Sequence, residues 1–405
     1  MHLGPAPNKG AGGQLTRINN KRAVATLIFG RLIYAVNWYN FAAVFALVAH
    51  DFNQNVSGLG AAVGSFYLGV GLFQIPGGLL AAKIGPKRTA VFGTLLASGG
   101  AILTSLSTNF TQLPVLRFIV GVGMAFVFGP GVILMTRYFR EKAEGFSVGL
   151  FNAAYYVGGA LGLFAWAVLA NAWGWRESLA LSGGIGVLTG ILIIFLVPKD
   201  TIREDFAMEL AEIRRILSSR WLFVLGVGMF GITGFSSLVT AFMVYYLEAM
   251  MKTTVAIAGI VGALAMLASL LSSPTFGMLY DRTRNASGLI FVCGILGIAG
   301  LEVASIPNIL GAVLASLIVG LTAGGALTVG FSAARELAHA EYETLAVSFI
   351  NSVQLYAGFI FPPLFSLTAV ELNYSTAWML SGLYMFPFTA TVLLTRSKHF
   401  ASGKK

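Results

Sequence analysis

Twelve stretches of roughly twenty or more mostly apolar residues follow one another along this chain. They lie at about 23–48, 58–81, 89–108, 114–136, 145–170, 176–197, 221–248, 255–279, 287–306, 309–334, 344–370 and 375–395. With 57% of residues hydrophobic and only 10% charged, too little polar material remains to build a water-facing surface, so a soluble domain is excluded. Hydrocarbon offers no partners to a backbone N–H or C=O, which leaves helices or closed barrels as spanning structures. The runs are continuous rather than alternating, so helices are chosen over barrel strands. The expectation is an all-α membrane protein with twelve transmembrane helices.

The chain also matches itself. Moved along by 199 residues, Gly78 falls on Gly277, Ile119-Val120-Gly121 on Ile318-Val319-Gly320, Asn152 on Asn351, Gly159 on Gly358 and Leu181-Ser182-Gly183 on Leu380-Ser381-Gly382. No gap is needed, and ordered matches at one offset mark a duplicated unit. The first six apolar runs land within a few residues of the last six. Two pseudo-symmetric six-helix bundles follow, at 23–198 and 221–396, between a disordered tail (1–22), an amphipathic linker (199–220) and a short second tail (397–405).

Basic residues orient the bundle. An even number of spans puts both termini on one face. That face collects Lys9, Arg17, Lys21, Arg22, Lys83, Lys87, Arg88, Arg137, Arg140 and Lys142, the linker residues Lys199, Arg203, Arg214, Arg215 and Arg220, and Arg282, Arg284, Arg335, Arg396, Lys398, Lys404 and Lys405. Only Arg31, Arg117, Arg176 and Lys252 of the 26 basic residues fall elsewhere. Such a bias marks the face as cytoplasmic, with both termini on it, and suits a multi-pass protein of the inner (cytoplasmic) membrane. The charge of +10 is dispersed over loops instead of gathered in one patch, so no nucleic-acid partner is expected. The lipid bilayer is the partner, and the chain is expected to act as a monomer.

Other chemistries find little support. The one cysteine, Cys293, sits inside an apolar run, and the four histidines (His2, His50, His339, His399) stand in tails or at loop edges without metal-ligand spacing. No cofactor is expected. An enzyme would need acids, histidines or a nucleophile and its base at one depth, and a channel a repeated filter or charged ring. Neither pattern is present, and Gly-rich runs such as Gly324-Gly325 sit inside apolar spans where glycine serves close packing.

Two six-helix repeats joined by a charged linker suit a secondary transporter, with substrate bound near mid-membrane between the repeats. The chain resembles the major facilitator superfamily over residues 20–397. Its loop Gly78-Leu-Leu-Ala-Ala82-Lys83-Ile-Gly85-Pro86-Lys87-Arg88 is similar to that family's loop between spans 2 and 3, except that Ala82 replaces the aspartate. In the second repeat, Gly277-Met-Leu-Tyr-Asp281-Arg282 supplies it. The resemblance implies a cytoplasmic latch from Gly78, Lys83, Gly277, Asp281 and Arg282, with Arg140 or Arg137 as partner; the plainer reading is that Asp281 and Arg282 only stop a helix. Arg117-x-x-x-Gly121-x-Gly123 is similar to the family's arginine signature of span 4. Asp51, on the same side, is the candidate partner, as a proton-coupling pair or a structural one. The span-5 stretch Tyr156–Gly162 lacks the Gly-Pro of drug-exporting members, which lowers that reading.

The residue singled out for substrate is Arg31, about 12 Å into span 1 at the helical rise, since an ionisable group at such depth is a functional candidate by default; the other reading is a structural role on the cytoplasmic side against backbone carbonyls or loop acids. Its counterpart 199 residues on is Phe230, an asymmetry that favours a small monoanion over a symmetric dianion clamp. Around it stand Asn37, Tyr39 and Asn40 of span 1, Tyr67 of span 2, Asn152 and Tyr155 of span 5, Ser236 of span 7, and Asn351 and Gln354 of span 11. Buried amides and hydroxyls need partners, which helix contacts or a wet cavity can supply. The expected activity is alternating-access transport of a small organic anion such as a carboxylate, proton-coupled or by exchange. The alternatives are proton-driven efflux of lipophilic or cationic compounds and sugar or sugar-phosphate uptake.

Overall fold

The computed structural model describes residues 21–139, 144–199, 210–338 and 343–395. Every regular element in them is a helix: α1 (Lys21–Asp51), α2 (Val56–Ile84), α3 (Pro86–Ser105), α4 (Gln112–Ala125), α5 (Phe128–Thr136), α6 (Glu144–Trp173), α7 (Trp175–Leu196), α8 (Leu210–Leu217), α9 (Arg220–Tyr245), α10 (Val255–Thr283), α11 (Ala286–Ala304), α12 (Ile309–Glu336), α13 (Glu343–Glu371) and α14 (Tyr374–Thr391). A π-helical turn, Tyr246–Met250, prolongs α9. Eleven spans are long and apolar enough to cross a membrane, with α4 and α5 forming one of them, Gln112–Thr136. The twelfth expected span is α3, whose 20 residues cover about 30 Å and whose first turn carries Lys87 and Arg88. Of the expected tails and linker, residues 1–20, 200–209 and 396–405 lie outside the described residues, as does Arg140; α8 is the described helix of the linker.

Short polar side chains start the helices. Oδ1 of Asn55, Asn285, Asn308 and Asn373 accepts from N–H of Ser57 (2.9 Å), Gly288 (3.0 Å), Gly311 (2.6 Å) and Thr376 (2.8 Å), capping α2, α11, α12 and α14. At the pole where α1 begins, Lys87 Nζ donates to the carbonyls of Ile194 (2.8 Å) and Val197 (2.5 Å) at the end of α7. A cation there satisfies orphan acceptors and opposes the helix dipole. At the far pole, Asp51 at the end of α1 accepts from Arg176 and from Trp175 Nε1 at the start of α7.

The 199-residue offset survives in the backbone. Moved by it, Val56–Ile84 becomes 255–283, and α10 is Val255–Thr283; Lys21–Asp51 becomes 220–250, which is α9 with its π turn. Even the turns repeat. Asn53 and Lys252 share a positive φ (51° and 54°), and so do Gly85 and Arg284 (94° and 52°). Glycine takes that conformation freely, whereas Arg284 takes it at a cost of about 1 kcal/mol and places its guanidinium 2.5 Å from Glu336 Oε1.

The halves meet along two equivalent seams, α2 on α13 and α10 on α6, and along α1 with α9. A Cβ at Gly60 would lie 2.8 Å from the Pro362 carbonyl, and one at Gly259 would lie 3.2 Å from the Leu163 carbonyl; Gly60 and Gly259 are 199 apart, and so are Leu163 and Pro362. The Tyr67 ring occupies the space that Gly358 leaves, as Met266 does at Gly159. Near the far pole the rings of Phe45 and Tyr245 close the α1–α9 contact at 5.6 Å.

Candidate substrate site between the halves

Along α1, Arg31, Tyr34, Trp38, Phe41 and Phe45 recur at intervals of three and four and so share one face. That face looks inward. A partly open cavity is lined by Trp38, Tyr39, Phe41 and Ala42 of α1, Val63, Phe66 and Tyr67 of α2, Arg117 of α4, and Ser237, Thr240 and Ala241 of α9. Both halves therefore contribute, and Arg117 is the one charged group in this lining.

Glycines bring Arg117 there. A Cβ at Gly121 would strike the Phe66 carbonyl and one at Gly69 the Phe118 carbonyl, so α4 and α2 cross backbone to backbone. The arginine, 4% exposed, consequently lies over α2 and α1, its guanidinium carbon 4.6 Å from the centre of the Phe66 ring and 5.0 Å from that of Phe41. Ring faces attract a desolvated cation by about 2 kcal/mol or more, yet they accept no ordinary hydrogen bond. Nε is buried without a partner, and Arg117 forms no ion pair among the described residues.

Arg31, 5% exposed, is enclosed by four rings, with its guanidinium carbon 4.4 Å from Tyr155, 4.5 Å from Tyr34 and 4.9 Å from Phe128 and Phe151. Its Nε and Nη1 are buried without acceptors. The two arginines are joined by aromatic contact. Trp38 meets Tyr34 at 5.6 Å, Tyr155 at 6.2 Å and Phe66 at 4.7 Å, and its Nε1 also lacks an acceptor. Tyr39, in the cavity wall, shares a 2.7 Å hydroxyl–hydroxyl bond with Tyr155, in the wall around Arg31.

At the two equivalent places the second half carries no charge. At the place of Arg31, Phe230 packs on Phe361 (5.5 Å) and Phe388 (4.9 Å). Nearby, Thr233 Oγ1 donates to Gln354 Oε1 (3.1 Å) and Gln354 Nε2 to Asn351 Oδ1 (2.8 Å), so this network is satisfied within its own half. At the place of Arg117 stands Ser316, its hydroxyl buried without a partner.

Of the residues singled out from sequence, Tyr39 and Tyr67 line the cavity together with Arg117, and Tyr155 covers Arg31. Asn37 and Asn40 do not join them. They point from α1 to α7, where Asn37 Nδ2 donates to the carbonyls of Ile33 (3.1 Å) and Ser182 (3.3 Å), and Asn40 Nδ2 to Ser182 Oγ (2.8 Å). Asn152 is half-buried on α6 beside Phe151, and the Ser236 carbonyl accepts from Thr240 Oγ1 (2.8 Å).

The expected Asp51–Arg117 pairing is replaced. Asp51 pairs with Arg176, not Arg117, because it ends α1 at the far pole, where Arg176 also donates to the Ser107 carbonyl (3.1 Å), while Arg117 sits inside beneath Phe41. In the latch region Asp281 and Arg282 are exposed. The carboxylate used there is Glu336, which accepts from Tyr280 OH (2.8 Å) and Arg284 (2.5 Å). Lys83 is exposed, Gly78 has open space beside it, and Gly277 makes an ordinary contact with Thr328. Tyr34, Phe66, Phe128 and Phe151 were not foreseen; the three-and-four spacing on α1 already pointed to Tyr34.

The family model described as Major Facilitator Superfamily matches residues 27–362. The chain belongs to this superfamily. As a Major Facilitator Superfamily protein it is a multi-pass membrane protein. It is 26% identical over 177 residues to a probable sulfoacetate transporter of Cupriavidus necator, a match covering 44% of this chain and 41% of that protein. It is also 26% identical over 189 residues to a probable L-galactonate transporter of Escherichia coli, covering 46% and 42%. These matches thus span about two fifths of either relative's length. Among solved structures, a bacterial homolog to the human lysosomal transporter Spinster, inward-facing and unoccupied, superposes with a TM-score of 0.75 at 15% identity over 96% of this chain and 97% of that one, a likeness of fold.

Proposed function

We propose that this superfamily member carries a small organic anion, a carboxylate, across the inner membrane by alternating access, as a monomer with both termini cytoplasmic. The observation that carries the reading is Arg117, a buried guanidinium without a carboxylate partner, set in the wall of a cavity to which both halves contribute. An unpaired buried charge costs several kcal/mol, and an anion in the cavity supplies the missing counter-charge. The lining speaks against a lipophilic cation or a neutral sugar on the same ground. A lipophilic cation would face Arg117 with no acid in the wall to offset it, and a sugar would find the protons of Ser237 and Thr240 already donated to the carbonyls of Gly234 and Ser236. Two relatives named for sulfoacetate and L-galactonate support an anionic cargo. With no carboxylate in the lining, exchange of one anion for another is the coupling we assign in preference to proton symport.

A thermal-shift series on the purified carrier with sulfoacetate, L-galactonate, benzoate, glucose and tetraphenylphosphonium tests the cargo. Stabilisation by at least one anion, diminished in R117Q, is expected. Stabilisation by the cation alone, or anion stabilisation undiminished in R117Q, would overturn the reading.

A further inference from the structure

Four buried N–H donors without acceptors lie in one file through the first half: Nε of Arg117, Nε1 of Trp38, and Nε and Nη1 of Arg31. Native structures rarely leave even one such donor unpaired. All four belong to residues in mutual aromatic contact: Arg117 on Phe66, Phe66 on Trp38, Trp38 on Tyr34, Tyr34 on Arg31. No single small anion can reach both arginines, because the rings of Trp38 and Tyr34 fill the interval. From Phe41, beside Arg117, to Tyr34, beside Arg31, α1 climbs about 10 Å. The two guanidinium groups therefore make separate sites.

Resting on the anion reading above, we propose that the carrier binds anions at two stations in series, Arg117 nearer the far pole and Arg31 nearer the pole of the termini, with the Tyr39–Tyr155 hydroxyl pair as the partition between them. Tyr39 belongs to the wall of one station and Tyr155 to that of the other, and their 2.7 Å bond joins α1 to α6 within one half. The partition can thus open by rotation of side chains, without rocking one half on the other. Trp38 Nε1, between the stations, offers a donor to an anion in passage. In the second half Thr233, Gln354 and Asn351 bond one another, and both arginines belong to the first half.

Calorimetric titration of the full chain in detergent with L-galactonate and with benzoate tests the stations. Wild type should take up two anions per chain, R31Q one, R117Q one and the double variant none. If R31Q does not fold, R31K keeps the charge and should show two sites with one weakened. A single site in wild type, removed by either substitution, would overturn the two stations and leave the anion reading standing. Binding of neither anion to wild type would overturn both. For the partition, Y39F and Y155F keep the rings and lose the hydroxyl bond. Each should exchange anions about fivefold faster, the equivalent of one neutral hydrogen bond; unchanged or slower exchange in both would remove the tyrosine pair from that role.

Discussion

The guanidinium carbon of Arg117 stands 4.6 Å from the centre of the Phe66 ring, a contact that attracts the cation and leaves its hydrogen-bond donors free. Function and stability should therefore oppose each other at this residue. R117M removes an unpaired buried charge, so the empty carrier should melt at a higher temperature than wild type, the usual sign of a site held at the expense of stability. R117K keeps the charge and loses the planar fork, and its affinity for a carboxylate should fall about tenfold or more. Differential scanning fluorimetry and calorimetry of the two variants check these outcomes; an R117M protein that melts lower and binds anions normally would contradict them.

The Asp51–Arg176 pair is expected to matter little. Its side chains are 43% and 39% exposed, and exposed pairs contribute about 0–1 kcal/mol. R176A should lower stability by less than about 1 kcal/mol, and D51N should leave the pH profile of transport where it is in wild type. A D51N carrier with an altered pH profile would restore the coupling role that its sequence position suggested.

The two seams give an ordered pair of outcomes. At Gly60 an added methyl meets the Pro362 carbonyl at 2.8 Å, and at Gly259 it meets the Leu163 carbonyl at 3.2 Å. Backbone cannot withdraw as a flexible side chain can, and overpacking typically costs 1–3 kcal/mol, about the upper end at the tighter site. G60A should therefore melt below G259A, and G259A at or slightly below wild type. Melting curves of the two variants in one detergent decide the order.

The fold was legible because its causes are local and repeated. Continuous apolar runs could only become spanning helices, and the match of Val56–Ile84 with Val255–Thr283 follows from the same 199-residue offset that aligns Gly78 with Gly277. The site was legible in part. Depth marked Arg31, but which face of a helix meets which neighbour is set by tertiary packing. Asn37 and Asn40 sit at the depth of the cavity and still point to Ser182 on α7. Arg117 looked like a charge near a helix end, and only the close α2–α4 crossing at Gly69 and Gly121 carries it inward to Phe66 and Phe41. Partner choice was equally hidden: Asp51 and Arg176 are 125 residues apart, and nothing in the sequence between them announces the pair.

Counterflow in proteoliposomes tests most directly whether this superfamily member is an organic-anion carrier working through Arg117. Vesicles preloaded with unlabelled L-galactonate, sulfoacetate or benzoate are diluted into trace labelled anion of the same kind. A transient accumulation of label in at least one of the three, absent with R117Q and insensitive to a protonophore, is the predicted result. Counterflow by R117Q equal to wild type, or no anion counterflow from a carrier that exchanges labelled tetraphenylphosphonium, would contradict it.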